Sequence, residues 1–179
     1  PADPKDAYGT SKWEAEQAIA ETAGSMEVVV LRPPLVYGPG VGGNFLRLLR
    51  LVDSATPLPL GGIRNLRSLI YLGNLVDAIR FSFEAPPGTY LPSDGEDLST
   101  PNLVRRLAAA LGRPARLVPV PVILLGLLGR MTGQSQAIAR LTDSLRLDGR
   151  IPGWTPPFGV DEGLRATADW YREFGAAVA

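Results

Sequence analysis

The chain of 179 residues is 45% hydrophobic and carries 18 basic and 18 acidic side chains, so its formal net charge is zero. This length supports one sizeable core, as one compact unit or two small lobes. The balanced charge gives no indication of general binding to nucleic acid or anionic membranes. Because the sequence has no cysteine and no histidine, it excludes disulfides, Cys/His zinc sites and histidine-dependent nucleophiles. Acid–base chemistry falls to Tyr, Lys, Asp or Glu, and we expect no metal site.

The first part of the chain predicts half of an α/β repeat. Residues 7–23 are rich in Ala and Glu and are followed by Gly24, which predicts a helix and its end. The apolar run 26–31 (MEVVVL) predicts a buried strand of the kind found in parallel sheets. A turn at 32–34 ends this strand, and residues 37–40 (YGPG) predict a loop.

The rest of the chain predicts short strands between helices. Apolar spacing, capping residues and acidic first turns predict helices over 44–52, from 74 to about 84, over 100–111, near 122–131 and from 160 onward. In this interpretation Asn74 and Thr100 cap their helices, and Val160, Leu164, Ala168 and Tyr171 form one buried stripe. Short apolar runs predict strands at 68–72, 88–91 and 144–147, with 117–118 extended.

The most apolar segment, residues 117–129, contains two prolines. A membrane span needs about 20 apolar residues, so we expect a buried or interfacial helix here and no membrane span. The polar residues 1–6 show no signal-peptide pattern. The sequence therefore predicts a cytoplasmic protein.

Tyr8 and Lys12 are the candidates for catalysis. Residues four apart on a helix lie on one face, so the phenol and the ammonium can converge on one small volume. Tyrosine titrates near 10, too high for a base at neutral pH, and a nearby cation lowers its pKa by favouring the phenolate. Lowering the pKa by about three units requires roughly 4 kcal/mol of additional stabilisation of the phenolate. One Lys in a partly desolvated site, helped by a nicotinamide cation, could supply it.

The use of lysine at this spacing supports the interpretation. Five tyrosines and two lysines in 179 residues would give about 0.06 such pairs by chance. The chain has 16 arginines but only two lysines, Lys5 and Lys12. A planar guanidinium does not replace a compact ammonium that bonds ribose hydroxyls. Tyr37 and Tyr71 have no lysine four residues on, so we interpret them as packing residues.

Four segments in order resemble one known family. AYGTSK at 7–12, followed by EAE at 14–16, resembles the active-site helix of the extended short-chain dehydrogenases/reductases, the NAD-dependent epimerase/dehydratase family. LRPPLVYGPG at 31–40 resembles the next strand and loop of that family, and RSLIYLGNLVDA at 67–78 is similar to a later segment. GWTP at 153–156 resembles the family's C-terminal signature. Together the four motifs cover nearly the whole chain.

The resemblance implies a cofactor side of the site. Tyr8 would be the catalytic acid/base, and Lys12 would hold the ribose of NAD or NADP and tune Tyr8. Pro33 and Pro34 would lie against the nicotinamide through backbone groups. The alternative for the two prolines is a stiff turn without a role in binding.

The resemblance also implies a substrate side. Asn44 would face the base or sugar of a nucleotide-linked sugar, and Arg67 would contact its diphosphate, which a guanidinium binds well. Two alternatives stay open: Asn44 as a helix cap, and Arg67 as a solvated surface cation.

The sequence also departs from the family. The dinucleotide-binding glycine loop and the catalytic Ser or Thr expected before Tyr8 do not occur. Leu35 stands where sugar-nucleotide epimerases commonly have Asn, Ser68 replaces the acid after the Arg, and the stretch 148–154 is shorter than usual. We therefore expect the C-terminal part of the family's fold, which cannot build a complete cofactor site alone.

The sequence as a whole predicts an α/β fold, the last part of a Rossmann-type sheet plus a small α/β substrate-binding lobe. Residues 1–40 would be the remnant of the NAD(P)-binding domain with the catalytic helix, and 41–179 mainly the lobe, with segments returning to the Rossmann part. The resemblance implies an epimerase or reductase/dehydrogenase acting at C4 of a nucleotide-linked sugar. Some motifs resemble the subgroup that reduces 4-keto sugars in polysaccharide synthesis.

Two other functions stay open at this point. The chain could be a non-catalytic fragment or binding lobe that needs a partner chain. It could also resemble hydroxysteroid dehydrogenases, because Leu35 suits a less polar substrate, although Arg67 argues against that. A homodimer of the intact protein is also left open, and no nucleic-acid partner is expected.

Residues 1–179 by themselves should bind NAD(P) negligibly. The pyrophosphate normally sits on a glycine loop and a helix N-terminus, whereas Lys12 reaches only the ribose. We also expect an unpaired strand edge and uncovered apolar faces, and therefore aggregation or a need for a partner chain. Titration with NADH, followed by the fluorescence of the three Trp residues, measures this directly. Saturable micromolar binding by a monomer would contradict the prediction.

Overall fold

The computed structural model describes residues 7–131, 133, 135–148 and 150–175. Seven helices and four short strands occur in these ranges. In chain order they are α1 (Ala7–Thr22), β1 (Val29–Leu31), β2 (Leu35–Tyr37), α2 (Gly43–Asp53), β3 (Leu69–Tyr71), α3 (Leu72–Ser82), β4 (Gly88–Tyr90), α4 (Thr100–Leu111), α5 (Val122–Met131), α6 (Ser135–Thr142) and α7 (Val160–Phe174). The predicted α/β class is confirmed.

The strands form two parallel pairs. β1 lies beside β4, with Val29 opposite Gly88, and β2 lies beside β3, with Leu35 opposite Leu69. Parallel neighbours need a crossover connection, and helices provide it in both pairs. The carboxyl ends of β1 and β2, which lie in the motif at 31–40, therefore point in the same direction as those of their partners β4 and β3.

The strand predictions are only partly right. The strands predicted at 68–72 and 88–91 occur as β3 and β4, but β1 covers only the last half of the predicted run 26–31. At 144–147 the structure has a single bridge, between Arg67 and Leu145, instead of a strand. β2 and α6 were not predicted as elements, because a strand of three residues and a helix of eight are too short for a clear pattern.

The main core lies between three amphipathic helices and the strands. α4 packs against both α2 and α7, and each helix contributes a buried apolar stripe. The predicted stripe of α7 is confirmed, because Val160, Leu164 and Ala168 are buried and Tyr171 packs against the core while partly exposed. A second cluster joins β3, α3 and the segment before α7 through Ile70, Ala78, Ile151 and Trp154.

Two capping predictions are wrong, and the alternative of a cap role for Asn44 is not observed. α3 begins at Leu72, with Tyr71 in the cap position, so Asn74 lies inside the first turn. The cap of α4 is Ser99, whose hydroxyl accepts a hydrogen bond from the Asn102 amide, and Thr100 is the first helical residue. The cap role left open for Asn44 falls to Gly42. In α3 the Asn74 side chain forms hydrogen bonds with other buried groups, so it is not available to cap the helix.

A buried polar network joins four segments of the chain. The Asp94 carboxylate accepts hydrogen bonds from the Tyr37 hydroxyl at 2.7 Å, the Asn74 amide at 2.7 Å and the Tyr71 backbone N–H at 2.8 Å. The Asn74 side chain also pairs with the Phe158 backbone, donating to its carbonyl and accepting from its N–H, both at 2.9 Å. β2, α3, the segment after β4 and the approach to α7 therefore meet at one point.

A glycine permits the close approach of β2 to α3. Gly38 follows Tyr37 with φ of +148°, and a Cβ at this position would lie 2.8 Å from the Leu72 Cβ. A larger residue would therefore require both a strained backbone and a shift of α3. This contact explains why the loop predicted at 37–40 has glycine at position 38.

No helix in the described ranges is long and apolar enough to cross a bilayer.

The Asn74→Ala variant of the full-length protein should lose about 3 kcal/mol of unfolding free energy. Asn74 is fully buried, and its removal leaves the Phe158 backbone groups and one Asp94 oxygen without these partners. Urea unfolding measures the loss. Asn102→Ala is the matched control, because that side chain is half-buried at the start of α4, and it should cost less than about 1 kcal/mol. Equal losses in the two variants would contradict the role of the network.

Candidate active site

The candidate catalytic pair lies on the first helix. Residues 8–12 are helical within α1, as the predicted convergence of Tyr8 and Lys12 requires. Only the helical backbone of Tyr8 is described, and its side chain lies outside the described part. Lys12 is exposed. Whether the phenol and the ammonium share one cleft therefore stays a prediction.

An ion pair fixes this helix to the end of β1. The Arg32 guanidinium donates to both oxygens of Glu16, with Nε–O distances of 3.0 and 3.1 Å and an Nη2–Oε2 distance of 2.5 Å. This hydrogen bonding raises the pKa of Arg32 above its ordinary value. Two-point pairing sets an orientation as well as a distance. Glu16 therefore holds α1 against the strand in a defined rotation.

The position of Glu16 determines which face of α1 meets the strand. Glu16 follows Lys12 by four residues, as Lys12 follows Tyr8, so the three lie along one side of the helix. The sequence patterns indicated no role for Glu16 or Arg32. The repeat of the four-residue spacing and the position of Arg32 at the strand end were signals that could have identified them.

The two prolines lie where the strand ends. Arg32 continues the pairing of β1, because its N–H donates to the Tyr90 carbonyl at 2.9 Å. Pro33, which is exposed, and Pro34, which is half-buried, then lead into β2. Ligands of parallel α/β sheets bind beyond the carboxyl ends of the strands. The Glu16–Arg32 pair places Glu16 of α1 at this end of the sheet as well.

The donor set on this side suits the ribose and nicotinamide half of a dinucleotide. An exposed ammonium on α1 can bond vicinal hydroxyls. Proline nitrogen carries no hydrogen, so the turn at 33–34 presents carbonyl oxygens and an apolar surface. These residues fit NAD in that half of the site, where they would hold the ribose and border the ring.

Tyr37 and Tyr71 serve the core. Tyr37 is 1% exposed and stacks on Phe45 with ring centroids 5.7 Å apart. Burial, and then the charge of Asp94, raise the pKa of Tyr37 far above its ordinary value. A phenol that resists ionisation is no base, so the predicted packing role of Tyr37 is confirmed. Tyr71 packs edge-on against Phe158.

The candidate substrate residues lie on other elements. Asn44 is exposed in the first turn of α2. Arg67 is partly buried just before β3, where its Nη1 donates to the Asp143 carbonyl at 3.2 Å. Its backbone also pairs with Leu98 on one side and bridges Leu145 on the other. Arg67 is thus held by its surroundings, unlike a freely solvated surface cation.

Ser68, at the position where the family commonly has an acid, has a structural role. Its hydroxyl donates to the Asp97 carboxylate at 2.6 Å and accepts the Leu147 N–H at 2.9 Å. The acidic group thus comes from another segment. Arg146 pairs with the same carboxylate, and this arrangement anchors the segment after α6 beside Arg67.

Comparisons with known proteins agree with this geometry. Residues 1–91 match the NAD dependent epimerase/dehydratase family. UDP-glucose 4-epimerase of Vibrio cholerae is 45% identical over 175 residues, covering 92% of this chain and 53% of that protein. N-acetyl-alpha-D-glucosaminyl-diphospho-ditrans,octacis-undecaprenol 4-epimerase of Escherichia coli O157:H7 is 26% identical, covering 95% of this chain and 58% of that protein. The chain thus spans about half the length of the curated relatives it matches.

A solved structure shows the same fold. The crystal structure of UDP-glucose 4-epimerase from Thermus thermophilus in complex with NAD superposes with a TM-score of 0.69 at 25% identity. The match covers 96% of this chain and 56% of that one. The fold is therefore the Rossmann type predicted from the sequence, and the chain covers about half of that structure.

Glu16 and Arg32 should be energetically coupled. In a double-mutant cycle with Glu16→Gln and Arg32→Gln in the full-length protein, we expect a coupling of about 1 kcal/mol, because both groups are partly exposed and share a two-point pair. Urea unfolding of the four proteins measures it. The control is the exposed pair Asp169–Arg172 on α7, for which less than about 0.5 kcal/mol is expected. A coupling no larger than that of the control would contradict the clamp.

Proposed function

Since the chain belongs to the NAD-dependent epimerase/dehydratase family, we propose that the full-length protein is an NAD-dependent enzyme that epimerises or reduces C4 of a nucleotide-linked sugar. The observation that carries the proposal is the helical Tyr8–Lys12 segment, held against the end of β1 by Glu16 and Arg32. The similarity to the UDP-glucose 4-epimerases of Vibrio cholerae and Thermus thermophilus supports the substrate class.

The chain's own residues would divide the work as follows. Tyr8 would take the proton from the C4 hydroxyl and return it later, so its phenolate must be accessible near neutral pH. Lys12 would favour that phenolate and bond the ribose hydroxyls. Bound NAD would supply the acceptor and donor of the hydride. Pro33 and Pro34 would border the nicotinamide through backbone groups.

Arg67 and Asn44 would hold the substrate. The backbone of Arg67 is fixed between Leu98 and Leu145, which supports a positioned guanidinium for the diphosphate. Asn44, exposed at the start of α2, would face the base or sugar. A rigid backbone reduces the ordering cost when the diphosphate binds.

The carrier of the sugar gives a second candidate substrate. One relative is named for a sugar linked by diphosphate to undecaprenol, and α5 exposes several large apolar side chains. A sugar diphosphate on a lipid carrier offers Arg67 the same diphosphate chemistry as a nucleotide sugar. Assays with UDP-linked and undecaprenyl-linked sugars distinguish the two carriers.

Three proposals concern the intact protein. Residues 1–40 would belong to the NAD-binding domain and 41–179 mainly to the substrate lobe, and the pairing of β4 with β1 supports a return of the later chain to the first part. A homodimer and a cytoplasmic location are proposed with them.

The Tyr8→Phe variant tests the function. In the full-length protein we expect kcat to fall by about 10²–10⁴-fold, because only the proton-transfer group is lost, while NAD affinity is kept. Conversion of UDP-glucose to its C4 epimer, followed by NMR, gives kcat, and net NADH consumption with a 4-keto sugar identifies a reductase instead. Tyr90→Phe is the control, since in the described part of the chain that hydroxyl donates to the Pro86 carbonyl, a local contact four residues away. Near-normal turnover in Tyr8→Phe would overturn the assignment.

A further inference from the structure

Helix α5 presents an apolar side to solvent. Ile123, Leu127 and Met131 follow one another at four-residue spacing and are 79%, 50% and 85% exposed. Leu124, beside them, is 50% exposed, whereas Leu125 on the opposite side is 5% exposed and belongs to the core. Among the side chains of α5 that the structure describes, Leu125 is therefore buried in the core, while these four large apolar groups are exposed.

The stretch of sequence that contains this helix carries charges of one sign. Residues 112–142 contain four arginines and no Asp or Glu. Because the chain as a whole is neutral, the remainder carries a net charge of −4. Arg113 pairs with Asp53, while Arg116 before the helix and Arg130 in its last turn make no ion pair within the described part of the chain. The overall charge balance conceals this separation.

We propose that α5 docks on the surface of an anionic lipid bilayer, with Ile123, Leu124, Leu127 and Met131 in the interface and Arg116 and Arg130 at the headgroups. An exposed apolar helix side bordered by arginine is the pattern of interfacial helices. Anionic lipids attract such arginines without any specific pocket. The helix lies on the membrane and does not span it.

A second copy of the chain fits this surface less well. In a symmetric pair the same patch meets itself, so Arg116 and Arg130 would approach their own copies without a compensating carboxylate in 112–142. α3 gives a useful contrast. It also exposes Val76 and Ile79, but it carries Asp77 and Arg80 together, so its charges do not favour an anionic surface.

Sedimentation of the full-length protein with vesicles tests the proposal. We expect binding to vesicles of phosphatidylcholine with phosphatidylglycerol and much weaker binding to phosphatidylcholine alone. Leu127→Ser should lower the partition coefficient about tenfold, because one interfacial leucine is lost. Leu51→Ser on α2 is the matched control, a leucine 43% exposed outside the basic segment, and should change little. Arg116→Gln with Arg130→Gln should lower binding to the anionic vesicles by about tenfold or more.

A label at the helix distinguishes docking from a covered surface. Ile123→Cys, carrying an environment-sensitive fluorophore, should react readily in the free protein and shift to shorter wavelength when anionic vesicles are added. Absence of binding to the anionic vesicles, or binding by Leu127→Ser equal to that of Leu51→Ser, would overturn the proposal. So would a cysteine that is protected without vesicles, since another part of the protein or a second copy would then occupy the face.

Discussion

The arrangement of the described chain depends on the hydrogen bonds that the buried carboxylate of Asp94 accepts. Burial raises its pKa, and the Asn74 amide, the Tyr71 N–H and the Tyr37 hydroxyl oppose that shift by donating to it. These three donors come from two parallel strands and the helix after one of them. Because an unpaired polar group at this depth would be costly, the donors fix where β2, β3 and α3 stand relative to one another, and Phe158 extends the constraint to α7.

The candidate site lies at the edge of this fixed region. β2 is locked through Tyr37, so the turn at 33–34 before it has one rigid end, and β1, paired with β4, provides the other. Arg32, at the boundary between β1 and that turn, then holds α1 through Glu16. The Glu16–Arg32 contact thus orients the helix that carries the candidate pair, Tyr8 and Lys12, relative to the end of β1.

Sequence patterns predicted the elements that carry strong periodicity, and failed where tertiary contacts decide. The stripe of α7 and the helix over 100–111 follow from apolar spacing and proline position alone. Asn74 has the residue type of a cap, but its amide binds Asp94 and Phe158 across the fold, partners 20 and 84 residues away that no local pattern indicates. Likewise, the spacing of Tyr8 and Lys12 identified the candidate pair. The Glu16–Arg32 contact was not predicted, because it forms only where the fold brings the end of β1 beside α1.

The burial of Tyr37 also simplifies how the phenols of this protein can be observed. Its pKa lies far above the ordinary range, and burial raises that of Tyr171 as well. In an alkaline titration monitored by ultraviolet absorbance, the Tyr37 ring therefore ionises well above the range of an ordinary phenol, and the shift of Tyr171 has the same direction. A phenolate band that appears below the ordinary tyrosine range can therefore come from neither of them, so the ionisation of Tyr8, the proposed acid/base, can be followed without their contribution.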